Sequence, residues 1–537
     1  MIVDAVAAPS PNIPRQWCNR PPCGIFRPPR MQQQAPGSVR RGASVDAGGL
    51  LISKSKFLSG VQCSKLLWHQ YNAKHLISEP DAAQQAIFDQ GHEVGELAKQ
   101  LFSDGIEVAE GIQDFDEILQ RSQELVSARR PLFEAGFTHN GGYARADALN
   151  PVGDDAWDVI EVKSSTEVKD VNLMDLAFQA YVYAGSGLNV RRCILMHVNR
   201  DFVRHGPVDP RKFFKKADVT AQVSGLSRQI EENLDDMFGV IRQPAHPAIK
   251  IGPHCNDPYP CPLMEHCWSF LPDGSVMDLY RGGRKIWRLL DEGILAIQDI
   301  PDRIDLTDRQ AIQRKVALSG QPHVDQKAVA RFLKRLRYPV RYLDFETFGT
   351  AIPLFDGLRP YQPVAFQFSL HREDAPGGQL IHEGFLAEGR DDPRPEFLRQ
   401  LKLSVETSGS VVVYNQSFER RILTELAAAF PEHREWIEDV KGRMVDLLEP
   451  FRAFDYYHPG QRGSASIKSV LPALTGRSYA YLEIQEGDTA SREFVRVHYG
   501  DVPEAERQRV RRQLEDYCGQ DTEGMCRLVE ALGRLLR

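Results

Sequence analysis

The feature of this chain that most constrains its fold is a pair of strand-forming runs joined by a short turn. The runs lie within "ARADALNPVGDDAWDVIEVKSS", and the turn between them is rich in Pro, Gly and Asp. Side chains two apart on a strand share a face, so Glu161 and Lys163 point the same way. A hairpin folded over the turn sets Asp147, on the neighbouring strand, beside Glu161. The sequence therefore predicts two carboxylates and one ammonium group gathered at a single place.

Two neighbouring carboxylates repel each other unless a hard divalent cation with oxygen ligands offsets their charge. Such a cation polarises a phosphoryl oxygen and yields hydroxide at neutral pH, and Lys163 can then stabilise the negative charge that develops. The pattern is also compatible with an amphipathic hairpin whose charges face solvent. This segment alone leaves both interpretations open, namely metal-dependent phosphodiester cleavage and a solvated hairpin.

Further polar residues accompany the hairpin. Glu134 lies on the preceding strand-type run, and His92 lies in an upstream helical pattern. Gln179 and Tyr183 are four apart on the following helix and so share a face. Taken alone, His92 is equally compatible with a structural histidine. Together with the hairpin, this set resembles the RecB-like branch of the PD-(D/E)XK nucleases, and the resemblance covers residues 51–270.

The resemblance implies a role for each of these residues. Asp147 and Glu161 hold Mg²⁺ or Mn²⁺, and Lys163 assists the chemistry. His92 completes the metal shell, and Gln179 supports the site.

Four cysteines form a second set of interest. Cys255, Cys261 and Cys267 lie in "CNDPYPCPLMEHCW", and Cys63 lies far upstream. The spacing is unlike the short paired spacings of zinc knuckles, and thiolates select either zinc or iron–sulfur clusters. With "SKFLSGVQCSKLLWHQY", the set resembles the iron–sulfur nucleases of the CRISPR-associated and AddB helicase–nuclease groups. That resemblance implies a [4Fe–4S] cluster held by one cysteine before the nuclease core and three after it, with zinc or free buried thiols as alternatives. A bound centre ties the two ends of this domain together and stabilises folding.

A second acidic set begins in "YLDFETF", where Asp344 and Glu346 share one strand face. In "YCGQD", Tyr517 and Asp521 lie four apart and so share a helix face. Between these motifs, "VVVYNQSFERRIL" places Glu419 where a strand passes into a helix. For "YCGQD" alone, a helix face wetted by solvent is the alternative.

These motifs resemble the DEDD exonucleases of the ribonuclease H-like fold, in the subgroup with tyrosine in the third motif. The resemblance implies carboxylates that hold two metal ions and a tyrosine, Tyr517, that helps to position the attacking water. The second motif of that family carries Asp after Phe, whereas this chain has Glu419 after Phe418, in a segment that also contains Asn415. Asp446 in "RMVDLLEP" is a candidate substitute or additional ligand.

The order of elements predicts α/β domains in series. Residues 1–50 are rich in Pro, Arg, Gln and Gly and are predicted to be a disordered tail. A PD-(D/E)XK nuclease domain over 51–270 and a helical connector over 271–336 follow. Residues 337–537 show three strands, then helix, strand and helices, which is the order of a ribonuclease H-like domain. As a whole, the chain resembles a bacterial family that joins these two halves.

Composition limits the interaction partners. The net charge of −7 gives no global attraction to nucleic acid, so such binding needs local basic surface. Candidates are "NVRRC", with Arg191 and Arg192, and "DPRKFFKKADV", although a solvated face explains each equally well. No apolar run approaches the roughly 20 residues that span a bilayer, and nothing near Met1 has the pattern of a secretory signal. Nine cysteines in this chain do not suggest a secreted disulfide framework, so a reducing cytoplasm is expected, with Cys518 and Cys526 as buried apolar residues.

The function expected from the sequence is that of a metal-dependent nuclease that acts on DNA, exonucleolytically, in repair or defence. DNA is favoured over RNA as the partner, no membrane is expected, and any helicase or CRISPR partner is left unspecified. One alternative is a nucleic-acid-binding assembly module with degenerate nuclease folds. Another is an RNA-directed nuclease, because nothing in the sequence discriminates recognition of the 2′-OH.

Overall fold

A computed structural model describes residues 49–112 and 114–537. The predicted disordered tail, residues 1–50, lies almost wholly outside them. The described chain is a mixed α/β protein with several sheets, which confirms the fold class at that level. None of its helices is long and apolar enough to cross a membrane.

The first half contains nine strands and nine α-helices within the described residues. Its strands are β1 (Ile52–Ser53), β2 (Ile106–Glu107), β3 (Leu132–Phe133), β4 (Ala135–His139), β5 (Gly142–Ala146), β6 (Ala148–Val152), β7 (Ala156–Lys163), β8 (Asn189–Val198) and β9 (Phe214–Asp218). Its helices are α1 (Lys54–Gln62), α2 (Ser64–Asn72), α3 (Ala82–Lys99), α4 (Phe115–Val126), α5 (Asp170–Gly185), α6 (Pro210–Phe213), α7 (Thr220–Ser224), α8 (Ser227–Ile241) and α9 (Met264–Trp268).

A six-stranded sheet with the order β2-β3-β6-β7-β8-β9 organises this half. β7 is antiparallel to β6 and parallel to β8, and α5 makes the crossover between the two parallel strands. The apolar run of β7 is buried because α5 and α3 both pack against it. Glu161 and Lys163 therefore lie at the end of a strand that is enclosed by helices.

The sequence also predicts a hairpin of the continuous runs "PLFEAGF" and "GYARADAL", joined by Asn140-Gly141, and the structure breaks this hairpin at one residue in each arm. Glu134, with a φ of 55°, separates β3 from β4, and Asp147 separates β5 from β6. Beyond the breaks, β4 and β5 join β1 in a three-stranded sheet, while β3 and β6 stay in the six-stranded sheet. The expectation of unbroken strands was wrong here, because one residue outside the ladder in each arm lets a single hairpin serve two sheets. Asp147 is thereby released from strand pairing.

The tip of this hairpin is the predicted Asn-Gly turn. Asn140 and Gly141 have φ values of 45° and 75°, as a two-residue turn with a left-handed backbone at both positions requires. A Cβ on Gly141 would lie 2.4 Å from the ring of Phe238, so glycine also allows the close approach of α8.

The connector and the second half hold the remaining elements. The connector contains α10 (Arg284–Asp291), α11 (Asp308–Ser319), β10 (His323–Val324) and α12 (Gln326–Leu333). The strands of the second half are β11 (Val340–Phe348), β12 (Val364–Glu373), β13 (Leu380–Leu386), β14 (Ser410–Val413), β15 (Met444–Asp446) and β16 (Tyr456–Tyr457). Its helices are α13 (Arg394–Val405), α14 (Gln416–Ala429), α15 (Arg434–Gly442), α16 (Glu449–Ala453), α17 (Ile467–Thr475), α18 (Gly487–Tyr499) and α19 (Glu504–Arg534).

The second half is built on a five-stranded sheet with the order β13-β12-β11-β14-β15. β13, β12 and β11 are antiparallel neighbours, and β11, β14 and β15 run parallel. Residues alternate between the faces of β11: Leu343 and Phe345 pack with α13 and α14, whereas Tyr342 packs with α18 and α19. Asp344 and Glu346 share the register of Tyr342 and so lie on the face that α19 covers.

The loop between β11 and β12 rests on the first half. Arg204 donates from Nη1 to the carbonyl oxygens of Pro353 (2.6 Å) and Leu354 (2.8 Å). The hydroxyl of Tyr361 donates to the carbonyl oxygen of Ser164 at 2.5 Å. The strand that carries Glu346 is thereby connected, through one loop, to the residue that follows Lys163.

Candidate active sites

The first site is a buried carboxylate cluster between β7 and α5. Glu161, which is 1% exposed, accepts from Lys163 Nζ at 2.6 Å and from Gln179 Nε2 at 2.7 Å. Gln179 also donates to Asp175 Oδ1 at 2.8 Å, and Lys163 donates to Asp175 Oδ2 at 2.8 Å. The structure thus brings Glu161, Lys163 and Gln179 together. Asp175, four residues before Gln179, is a member that the sequence interpretation missed, although helical spacing alone signals it.

A second lysine enters this cluster from the start of α1. Lys54 Nζ donates to Glu161 Oε1 at 2.8 Å and lies 3.7 Å from Asp175 Oδ1. Burial alone would lower the pKa of Lys54, but the charges of Glu161 and Asp175 hold it well above its usual value. Burial alone would raise the pKa of Glu161, but Lys163 and Lys54 hold it well below the ordinary range. The first site therefore contains its own cations.

Asp147 lies at the hairpin break and faces β7. Its Oδ2 accepts from the backbone N–H of Val162 at 2.6 Å. Burial, and then the charge of Glu161, raise the pKa of Asp147 to about 7. Asp147 and Glu161 are thus close enough for their charges to interact.

The three other residues of the first predicted set, Tyr183, Glu134 and His92, form no hydrogen bond or ion pair with the carboxylate cluster among the described residues. Tyr183 is fully buried, where its hydroxyl donates to the Ala135 carbonyl and accepts from the Ala146 N–H, so it supports the hairpin. Glu134 is paired with Arg145 at 2.7 Å. His92 is exposed on α3, and no hydrogen bond or ion pair of its ring is found among the described residues.

The second site is a cleft of about 230 Å³ between β11, α17 and α19. Ligand atoms of Asp344, Glu346 and Cys518 all lie within 4.8 Å of one another, so these three residues could hold a metal ion. Cys518 Sγ lies 3.8 Å from Asp344 Oδ2. Cys518 is buried, as the sequence predicts, but its thiol faces a carboxylate. Cys518 and Asp521 are three apart on α19, and that spacing already placed the thiol on the carboxylate face.

Two tyrosines and one lysine surround Asp521 in this cleft. Tyr479 donates from its hydroxyl to Asp521 Oδ1 at 2.5 Å. Tyr517 lines the same cleft, and the Nζ of Lys468 lies 5.3 Å from the centre of its ring. The sequence interpretation named Tyr517 and Asp521 but missed Tyr479 and Lys468, which arrive from a separate segment.

The charges of the second site are poorly compensated. Burial and the charge of Asp521 raise the pKa of Asp344 well above its usual value. Burial and the charges of Asp344 and Asp521 do the same to the pKa of Glu346. Burial raises the pKa of Asp521 to about 6, against the opposing effect of Tyr479. Among the described residues, Lys468 is the cation whose charge acts on Asp344, Glu346 and Asp521. It forms no ion pair with these three carboxyls in the described part of the chain.

Glu419 lies beneath this cleft at the start of α14. It is 1% exposed, and its Oε2 has no hydrogen-bond partner among the described residues. Burial, and then the charge of Asp344, raise its pKa well above the usual value. Asp446, named as a substitute ligand, uses Oδ1 to accept from the backbone N–H groups of Asn415 (2.9 Å) and Leu448 (3.0 Å). Asp446 therefore holds the end of β14 against β15, and Glu419 is the residue that faces Asp344.

Three of the four cysteines predicted as a ligand set share one cluster, and the carbonyl oxygen of the fourth, Cys255, accepts from the N–H of Cys261 at 2.8 Å. Cys261 is buried in a small apolar cluster with Cys63 and Cys267. Burial raises the pKa of Cys261 to about 11, and the charges of Cys63, Cys255 and Cys267 add to the effect. The Cys63 thiolate is favoured by backbone N–H groups at the start of α2, against a larger effect of burial. The set therefore brings together segments from both ends of the first half.

The basic stretches are largely engaged within the chain. Arg191 forms a two-contact pair with Asp158, and Arg192 lies 3.6 Å from Asp218. Lys215 pairs with Asp201 at 2.8 Å. These contacts favour the interpretation of a solvated face.

Fold and sites together define a mixed α/β protein with an acidic group that could hold a metal. A family model described as a domain of unknown function (DUF2779) matches residues 341–466. The match includes Asp344, Glu346 and Glu419 and ends before α19.

Curated relatives match over part of the chain. The uncharacterized protein MG366 homolog of Mycoplasma pneumoniae is 26% identical over 218 residues, which is 36% of this chain and 32% of the relative. The uncharacterized protein MG366 of Mycoplasma genitalium is 25% identical over 218 residues, with the same coverage of 36% and 32%. The chain thus spans about a third of the length of these relatives.

Two solved structures show weak similarity. LHK-Exo in complex with dAMP has 14% identity and a TM-score of 0.21, covering 36% of this chain and 87% of that one. SSO0001 has 14% identity and a TM-score of 0.16, covering 36% of this chain and 78% of that one. At these scores neither similarity carries an argument about this chain.

Proposed function

We propose that this chain is a metal-dependent nuclease that hydrolyses phosphodiester bonds of DNA, and that the second site is its exonuclease-type centre. The observation that carries the proposal is the convergence of Asp344, Glu346 and Asp521 on one cleft with too little positive charge of their own, with Glu419 buried next to Phe418 of the same cleft. A set of buried carboxyls whose pKa values are all raised is stabilised by divalent cations with oxygen ligands.

The residues of the cleft fit the chemistry of two bound ions. When bound, Mg²⁺ or Mn²⁺ supplies Lewis-acid stabilisation of the attacking and leaving oxygens. Asp344, Glu346 and Asp521 would hold the ions, and Glu419 would take the place of the shorter aspartate of the resembled family. Tyr517 would orient water, and Lys468 would offset negative charge on the phosphate.

For the first site we propose the same class of chemistry, with one condition. Asp147 and Glu161 would hold a divalent ion and Lys163 would assist, as the RecB-like PD-(D/E)XK resemblance implies. Lys54 contacts Glu161 at 2.8 Å and therefore occupies a place that an ion would need. The Lys54 ammonium group has to move away from Glu161 before a divalent ion can bind there. His92 on α3 would then complete the ligand set of that ion.

For the four cysteines we propose a [4Fe–4S] cluster, with zinc as the alternative. Cys63, Cys261 and Cys267 lie in one apolar cluster, and the charges of the other three cysteines add to the raised pKa of Cys261, which is a situation that a thiophilic cation relieves. The cluster would fasten Cys63 to the segment of Cys255, Cys261 and Cys267. Anaerobic purification with visible absorption and iron and zinc analysis tests this. Loss of metal and a lower melting temperature in Cys63→Ser are expected, and an unchanged metal content and melting temperature would contradict the proposal.

The nuclease proposal is tested with the purified full chain on end-labelled single- and double-stranded DNA and RNA, with Mg²⁺, Mn²⁺ or EDTA. Metal-dependent release of nucleotides from DNA is expected, and it should be lost in Asp344→Ala. Asp302→Ala removes a carboxylate that is 91% exposed and serves as the matched control. If DNA is degraded as fast by Asp344→Ala and by Asp147→Ala as by the unmodified chain, the activity belongs to a contaminant and the proposal is wrong. RNA cleaved in preference to DNA would change the substrate class.

A second candidate function, a nucleic-acid-binding module without hydrolysis, is favoured for the first half by one observation. Lys54 and Lys163 already neutralise Glu161 and Asp175 in that site. Tight DNA binding that needs the first half, with no turnover in Lys54→Met, would support this candidate for that half.

A further inference from the structure

Cys518 lies inside the second site rather than in the core beside it. It is located on α19 directly after Tyr517, and its Sγ is 3.8 Å from Asp344 Oδ2. Cys526, two turns further along the same helix, instead contacts the carbonyl of Thr522 at 3.3 Å. The two buried cysteines of α19 therefore have different contacts: the thiol of Cys518 contacts a carboxylate oxygen, and that of Cys526 contacts a backbone carbonyl.

The separation of the ligand atoms suits one ion. Metal–sulfur and metal–oxygen bonds of about 2.3 Å and 2.0–2.2 Å place two ligands of one ion at most about 4.5 Å apart. The ligand atoms of Asp344, Glu346 and Cys518 are all within 4.8 Å of one another. Ligand atoms around a tetrahedral ion are about 3.6 Å apart, so side-chain movements of up to about 1 Å bring these three around a common centre.

A second observation independently points to a missing ligand. Glu419 Oε2 is shielded from water and has no hydrogen-bond partner among the described residues. Leaving a buried carboxylate oxygen unpaired costs free energy, and a bound cation offsets that cost. Phe418, the residue before Glu419, lines the same cleft as Asp344 and Glu346, so Glu419 adjoins this site.

We propose that Cys518 is a metal ligand, and that one ion position of the second site takes a thiophilic divalent cation of the zinc class. The inference rests on the proposed function in one respect, namely that this cleft binds metal. Thiolate ligands select zinc over magnesium, whereas a site of carboxylates alone favours magnesium or manganese. Binding converts the thiol to a thiolate: the sulfur–metal bond forms, the S–H bond breaks, and the proton passes to solvent.

The experiment uses the full chain, stripped of metal and loaded with ¹¹³Cd²⁺ as the probe, and observed by cadmium NMR. The chemical shift separates a site with one sulfur and several oxygens from a site with four sulfurs. A resonance of the first kind is expected in the unmodified chain and in Cys526→Ser, and it should be absent in Cys518→Ser. Any signal from Cys63, Cys255, Cys261 and Cys267 should be the same in all three and acts as an internal reference.

Competition titrations give the second measurement. Cys518→Ser should weaken Zn²⁺ binding at the second site by about 10- to 100-fold and leave Mg²⁺ binding within about threefold. Thermal melting of Cys518→Ser beside Cys526→Ser separates loss of a ligand from loss of folding. If Cys518→Ser unfolds, Cys518→Ala and Cys518→Asp replace it, and Cys518→Asp should retain Mg²⁺ binding without the sulfur-type resonance.

The outcomes distinguish this inference from the proposed function. Cadmium bound with an all-oxygen shift, unaffected by Cys518→Ser but lost in Asp344→Ala, would overturn the role of Cys518 and leave the metal site standing. If Asp344→Ala removes no divalent-ion binding from the chain, both the role of Cys518 and the proposed metal site are overturned.

Discussion

The two acidic sites contain similar carboxylates and balance their charge in opposite ways. In the first, Glu161 and Asp175 are held by Lys54 and Lys163 in ion pairs of 2.6 to 3.7 Å. In the second, the acidic groups face one another, a thiol and two tyrosines. A cluster of carboxylates therefore does not by itself define a metal site, because a lysine of the chain can occupy the same place. Whether such a cluster is left free to bind a metal depends on whether the fold places a lysine or arginine of the chain beside it.

The largest expected difference between the sites is in catalysis. Asp344→Asn should lower the rate of DNA hydrolysis by about 10³-fold, because loss of a metal ligand removes several kcal/mol of transition-state stabilisation. Asp147→Asn should have a much smaller effect on that rate while Lys54 stays in place. Initial rates at saturating metal measure both, with Asp302→Asn as the control. An equal loss of hydrolysis rate in Asp344→Asn and Asp147→Asn would show that the two sites do not differ in catalysis.

The next effect is on stability without metal. Glu161→Gln should destabilise the chain by about 3–5 kcal/mol, because it leaves two enclosed ammonium groups short of a partner. Glu346→Gln should leave metal-free stability unchanged or raise it, because it removes one of several mutually repelling carboxyls. Denaturant unfolding in EDTA compares the two. Destabilisation of similar size in both variants would show that the second site is also internally paired.

The pH dependence of stability should also differ. The folded-state pKa of Asp521, about 6, lies above its ordinary value of 3.8, so its contribution is fully present below pH about 4 and is lost as pH rises through about 6. At about 1.4 kcal/mol per pKa unit, the loss is about 3 kcal/mol. Asp521→Asn should flatten this fall in metal-free melting curves. In the first site, the depressed pKa of Glu161 acts oppositely, since its stabilisation is present above pH about 4.5 and is lost as pH falls.

The smallest expected effect concerns Lys54. Lys54→Met keeps most of the length of the side chain and removes its charge, so Mn²⁺ should bind the first site about tenfold more tightly, or about 1.4 kcal/mol. Calorimetric titration of Mn²⁺ in an Asp344→Ala background isolates this site. Lys56→Met, a neighbouring lysine whose charge lies over the ring of Tyr71 at 4.0 Å, is the matched control. Unchanged affinity in Lys54→Met would show that Lys54 does not compete with the ion.

Local spacing predicted much of both sites. The two-residue period of a strand placed Glu161 with Lys163 and Asp344 with Glu346, and helical spacing placed Tyr517 with Asp521. The same helical spacing places Asp175 on the face of Gln179 and Cys518 close to the face of Asp521. The broken hairpin was not predictable in the same way, since the positive φ of Glu134 leaves no mark in a pattern of apolar residues.

By itself, the sequence determined which residues share a face, because strand and helix periods act over a few residues. It also determined the α/β class, since its apolar runs switch between these two periods. Only the tertiary structure decided that Lys54 reaches Glu161 from 107 positions away, and that Tyr479 reaches Asp521 from 42 positions away. The net charge of a buried site depends on the side chains of every element that packs around it, so a local sequence pattern cannot predict that charge.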